Sequence, residues 1–143
     1  MILDVLMTAV LATPSPEVAG TAPCPNPVVR VLHKAGFRGP DLRTAWAIVM
    51  RESKGNPRAI SRTGDYGLAQ INRRTWQHAP WWDTRKMLEP AYNAAAMWRI
   101  AEGGKTFRAW GLDGRGRKHP ASPYPDATHR AYLNWWKAYP CSS

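Results

Sequence analysis

Glu52 and Asp65 are the two residues whose types and positions could do chemistry together. Glu52 closes the run LRTAWAIVMRE. Ala45, Ile48, Val49 and Glu52 fall at i, i+3, i+4 and i+7, which is one face of a helix. That face is apolar until it reaches the carboxyl group. Desolvation there raises the pKa of an acid, and a helix C-terminus disfavours negative charge. A carboxyl group still protonated near neutral pH can serve as a general acid. The plainer alternative is that Glu52 swings out to pair with Arg51, Arg58 or another arginine.

Asp65 follows thirteen residues on, ahead of Tyr66-Gly67-Leu68-Ala69-Gln70-Ile71-Asn72. Gly64 and Gly67 let the backbone turn sharply beside a ligand. Gln70 and Asn72 flank an apolar Ile71, so both amides could face one side, where amides suit sugar hydroxyls and N-acetyl groups. Ordinary turn chemistry is the alternative: amides bonded to nearby backbone, and Asp65 in an Asx-turn.

The elements that must position these groups are mostly helices. Asn26 can cap a helix that starts at Pro27 and stops near Gly36. A second helix opens at GPD, with Asp41 as a plausible cap, and Asn56-Pro57 ends it by Ser53 or Lys54. RAISRTGDYGLAQIN reads as a small hairpin or irregular loop. RRTWQHAPWWDTRKM holds a short helix and a turn at Pro80. EPAYNAAAMWRIAEGGK is a helix closed by Gly103-Gly104. A short helix over TFRAW, a basic loop and a last helix over ATHRAYLNWWKAYP complete a mainly α chain with a minor β element.

These residues resemble the lysozyme-like superfamily. Lytic transglycosylases and goose-type lysozymes carry a helix ending in Glu-Ser, then Asn-Pro-x-Ala, then Gly-Leu-x-Gln. Here those are Glu52-Ser53, Asn56-Pro57-Arg58-Ala59 and Gly67-Leu68-Ala69-Gln70. Tyr92-Asn93-Ala94 and Ala109-Trp110-Gly111 match later positions. Asp65-Tyr66-Gly67 with Gln70-Ile71-Asn72 is similar to the hairpin of animal-type lysozymes. The likeness runs from about Leu42 to Leu112. Ala69 stands where the family commonly has methionine, and Trp98 and Ile100 occupy a region where it carries a different aromatic partner.

The resemblance implies an α+β lysozyme-like fold: a helical bundle around a catalytic helix, with a small β-hairpin beside the substrate cleft. It implies an enzyme of bacterial or phage type, a muramidase or lytic transglycosylase. Such an enzyme cuts peptidoglycan between N-acetylmuramic acid and N-acetylglucosamine. Glu52 would be the general acid and Asp65 a second catalytic carboxylate. Ser61, Tyr66, Gln70, Asn72, Tyr92 and Trp110 are the expected substrate-binding residues. No cofactor and no metal are expected, and the chain is expected to be a monomer.

The sequence has 143 residues, which suits one domain. Twenty Lys and Arg against ten Asp and Glu give a charge of +10, which predicts an anionic partner. The basic residues are dispersed, which fits steering to a cell wall better than a nucleic-acid-binding module. A non-catalytic wall-binding protein is another alternative, and it has no use for Glu52. The final helix could act on membranes by itself, but its simpler role is packing through Tyr132, Trp135 and Trp136, with no stable membrane insertion. Trp46, Trp98 and Trp135 are assigned to packing and Trp110 to the groove.

Cys24 and Cys141 flank the domain in Pro-rich segments. Paired, they would close a loop and stabilise the fold by about 4–5 kcal/mol on the chain-entropy model. Pairing implies an oxidising, extracytoplasmic setting, secreted or phage-delivered, whereas free thiols would suit the cytosol. Residues 1–23 read as a leader, a signal-like segment or a linker, although Asp4 is unlike a signal peptide. The catalytic domain is expected over residues 24–143.

Overall fold

A computed structural model describes residues 21–142. Residues 1–20 of the expected leader, read as 1–23, lie outside the described residues. Five helices and one two-stranded sheet form the framework among those described. They are α1 (Pro27–Ala35), α2 (Gly39–Ser53), β1 (Asp65–Tyr66), β2 (Ile71–Asn72), α3 (Arg73–Trp76), α4 (Pro90–Ile100) and α5 (Asp126–Lys137). Short 3-10 turns at Lys86–Leu88, Glu102–Gly104 and Arg108–Trp110 link them. The expected α+β architecture, a helical bundle with one small hairpin, is what the chain adopts.

Helix α1 starts where its chemistry requires. Asn26 Oδ1 accepts from the backbone N–H of Val28 and Val29, and Pro27 needs no hydrogen-bond partner at the first position. It ends at Gly36, whose φ of 129° would strain any side chain. A Cβ there would also come within 2.5 Å of the Trp98 indole. Trp98 is thus used for packing as expected, but it covers glycines at the surface and stays 37% exposed.

Helix α2 is the centre of the domain. Leu42, Thr44, Ala45, Trp46, Ala47, Ile48 and Val49 are all buried, so the helix is covered on several faces and not only on the Glu52 face. It packs most extensively against α5 and also against α1, while α1 packs on α4. Asp41 is not its cap. Pro40 starts the helix earlier, Arg38 takes the cap position without a side-chain bond, and Asp41 falls in the first turn against Gly104. An acid there still meets the positive end of the helix dipole.

Around α2 the core gathers Val29 and Leu32 from α1, Met97 from α4 and Tyr132 from α5. Phe37 and Phe107 stack at 6.1 Å between ring centroids. On the α5 side, Trp46 meets Trp135 and Tyr139 edge-on, and the Arg43 guanidinium lies 3.5 Å over Trp136. The C-terminal segment is tied back by a Cys24–Cys141 disulfide that spans 117 residues. No described helix is long and apolar enough to cross a membrane.

Candidate active site

Helix α2 ends at Ser53 because Lys54 and Gly55 turn into the left-handed region ahead of Asn56-Pro57. The chain then returns as the hairpin, pairing Asp65 with Asn72 and Tyr66 with Ile71. Three side chains clamp the hairpin turn. Ser53 Oγ donates to the Leu68 carbonyl at 2.8 Å. The Trp110 indole N–H donates to the Ala69 carbonyl at 2.8 Å. Asn93, fully buried in α4, accepts from Ala69 N–H at 2.9 Å and donates to the carbonyls of Tyr66 and Met87. Gly67 leaves room for this amide, since a Cβ would come within 2.4 Å of Asn93 Nδ2.

A cleft of about 200 Å³ opens along the hairpin. Asp65, Gln70 and Asn72 of the hairpin line it together with Thr75 and Trp76 of α3 and with Ala109, Trp110 and Tyr124. Glu52 stands beside this cleft and not in its lining. Its side chain is 20% exposed, and Oε1 accepts from Arg51 Nη2 at 3.0 Å. The arginine pairing that competed with catalysis is therefore present, but Glu52 has not swung into solvent to make it.

The two carboxyl groups are pushed in opposite directions. Burial raises the Glu52 pKa above its ordinary value. Arg51 opposes this by charge and hydrogen bond, and the Asp65 anion adds to the rise. Asp65 is also penalised by burial, yet its pKa is lowered overall by its hydrogen bonds. Ser61 Oγ and Thr63 Oγ1 donate to Oδ2 at 2.5 and 2.7 Å, and Asn72 Nδ2 donates to Oδ1 at 3.0 Å. The two environments thus push the carboxyl pKa values apart, Glu52 upward and Asp65 downward.

The other expected site residues divide. Gln70 and Asn72 reach the cleft, but their amides are also engaged locally. Gln70 Nε2 donates to the carbonyls of Ala59 and Gly67, and Asn72 caps α3 through Thr75 N–H. Trp110 also lines the cleft, but it is 3% exposed, so it is floor more than platform. Trp76, half-buried and packed on Trp81 at 5.6 Å, offers the more open aromatic surface.

Ser61, Tyr66 and Tyr92 do not line the cleft. Ser61 braces Asp65, Tyr66 packs edge-on against Trp82, and the Tyr92 hydroxyl donates to the Trp81 carbonyl. Sequence reasoning missed Tyr124, and it named Arg51 only as a partner that would draw Glu52 away. Tyr124 sits in the basic loop far from the motif series, and its pKa is raised by burial, with the charges of Glu52 and Asp65 adding.

Comparison with known proteins identifies the family of the domain. Residues 29–112 match the family model described as a lysozyme-like domain, well over half of the chain. No curated protein and no solved structure matches it significantly. The family is one of glycosidases and transglycosylases, with peptidoglycan as the implied substrate. With the matched segment holding Glu52 and the hairpin that carries Asp65, the chain belongs to the lysozyme-like domain family.

Proposed function

We propose that the protein cleaves peptidoglycan strands at the β-1,4 bond between N-acetylmuramic acid and N-acetylglucosamine, as a muramidase or lytic transglycosylase. The observation that carries this reading is the opposed pair: Glu52 pushed towards its protonated form by burial, and Asp65, in the cleft lining, pushed towards its ionised form by hydrogen bonds. Lysozyme is the type case of such a pair, so the division of labour is borrowed from it. Glu52 gives its proton to the glycosidic oxygen. The bond from the anomeric carbon breaks, and its electron pair leaves with that oxygen. Positive charge grows on the sugar ring, and the Asp65 anion stabilises it.

Asp65 acts through its charge. Three donors already occupy its oxygens, which weakens it as a nucleophile. The acceptor is then water, or the sugar's own 6-hydroxyl; its oxygen bonds the anomeric carbon and its proton passes to the Glu52 carboxylate, which restores the acid. Gln70, Asn72 and Trp76 bind the sugar along the cleft, with Trp110 beneath. The net charge of +10 draws the protein to an anionic wall. The disulfide supports action outside the cytoplasm.

The test is mass spectrometry of purified peptidoglycan digested by the protein. Reducing muramic acid ends identify hydrolysis, and anhydro ends, lighter by one water, identify transglycosylation. Glu52→Gln should lower the rate by about 10²–10⁴-fold, the usual contribution of a general acid. A folded Glu52→Gln protein that still releases fragments would sink the assignment. Wall binding without fragments from the unaltered protein would leave only a binding role.

A further inference from the structure

Arg51 is the group nearest the proposed acid that the reaction above does not use. Its side chain is only 5% exposed. Nη2 donates to Glu52 Oε1 at 3.0 Å and to the Trp110 carbonyl at 3.1 Å. Its Cζ lies 5.1 Å from the centre of the Tyr124 ring, and Tyr124 lines the cleft. Nε is buried with no hydrogen-bond partner. A buried, partly unsatisfied cation is a poor structural strut, because an apolar side chain fills such space at lower desolvation cost. Its placement asks for another reason.

We propose that Arg51 is a positioning residue that fixes which oxygen of Glu52 carries the catalytic proton. This rests on the reading of Glu52 as the general acid. A guanidinium has donors and no acceptor. The oxygen it holds, Oε1, must therefore accept, and the proton of the neutral acid resides on Oε2. When the Oε2–H bond breaks and the proton moves to the glycosidic oxygen, the carboxylate is left against a cation already in place. No reorganisation is needed at that moment. The bond to the Trp110 carbonyl aims the guanidinium, and the Tyr124 ring shields it on the cleft side.

The charged and titratable groups around this pair come from three other segments. Asp65 acts on Glu52 from β1, and Tyr124 lies beside both residues from the loop before α5. His129 and Tyr132 on α5 feel the charge of Arg51. Of these, Arg51 alone favours the ionised form of Glu52.

Carboxyl-carbon NMR titration of Glu52 tests the inference without relying on activity. In Arg51→Gln the Glu52 midpoint should move to higher pH, whereas in Arg51→Lys it should stay closer to the native position. In the native protein, the Arg51 Nη resonances should shift with the Glu52 midpoint. That measurement decides the matter even if the variants do not fold. In glycan cleavage, Arg51→Gln should lower kcat by about tenfold or more with KM little changed, and the alkaline limb should move up. A purely structural Arg51 would lower the melting temperature without moving the Glu52 titration, and that result overturns the inference. Activity in Glu52→Gln would remove the functional reading and this inference with it. An inactive Glu52→Gln beside an unmoved titration in Arg51→Gln would remove this inference alone.

Discussion

Ser53 Oγ reaches the Leu68 carbonyl at 2.8 Å and so joins the helix that carries Glu52 to the hairpin that carries Asp65. The same oxygen lies 3.2 Å from the Val49 carbonyl, which shares its single hydrogen, and accepts from Gly55 N–H, so one hydroxyl organises the helix end and the turn together. The serine that follows the acid in this motif thus has a mechanical role.

Ser53→Ala should lower stability by about 1 kcal/mol, the net worth of one such hydrogen bond. Thermal unfolding measures that loss. The rate of glycan cleavage, taken well below the melting temperature, should fall more than the small change in folded fraction explains. An unchanged rate would mean that the hairpin holds its place without this bond.

Glu52→Gln should stabilise the fold at neutral pH. The folded pKa of Glu52 lies above its ordinary value, so the folded state binds this proton more tightly than the unfolded one. Stability therefore falls as pH rises from the ordinary value of 4.5 through the folded pKa, and stays reduced above it. Glutamine keeps an oxygen for Arg51 and carries no charge. Melting curves should show the variant ahead at pH 7, with the gap closing in acid. No gap at pH 7 would mean that Arg51 fully compensates the burial.

The start of α1 at Pro27 and the stop of α2 at Ser53 were legible because capping and proline act over a few residues. The apolar face leading to Glu52 was legible for the same reason. Asp41 was misread as a cap because Pro40 also opens a helix, and local signals cannot rank the two. The site's cross-links were less accessible. Arg51 meets the Trp110 carbonyl across 59 residues, and Asn93 meets Ala69 across 24. Tyr124 has no local pattern that sets it apart from any loop tyrosine. Ser61 and Tyr66 were correctly placed near the hairpin, but sequence does not say on which side a hydroxyl or ring ends.

Asp65→Asn should remove the acidic limb of the activity profile. Hydrogen bonds from Ser61, Thr63 and Asn72 hold the Asp65 pKa below its ordinary value, so the carboxylate stays charged well into acid. The native rate should drop only as pH falls through that lowered pKa, and the alkaline limb should follow Glu52. The variant should be about a hundredfold slower at the native optimum, the usual cost of removing one preorganised electrostatic partner. A near-native rate would leave Glu52 working alone.

Asn93 offers the sharpest separation of positioning from chemistry. Its oxygen takes Ala69 N–H, and its nitrogen gives to the carbonyls of Tyr66 and Met87, while Asn93 itself has no exposure to water. Asn93→Ala leaves those backbone groups without partners and should cost about 3 kcal/mol, several unsatisfied buried groups together. Asn93→Asp should be worse despite its matching shape, because an ionised carboxylate meets two carbonyl oxygens with no donor to offer. Its stability should therefore improve in acid, where a protonated carboxyl regains one donor, while Asn93→Ala should show no such gain. Chemical unfolding of both variants across pH reads the difference. Equal stability of the two at neutral pH would mean that the hairpin moves away from α4 and lets water in.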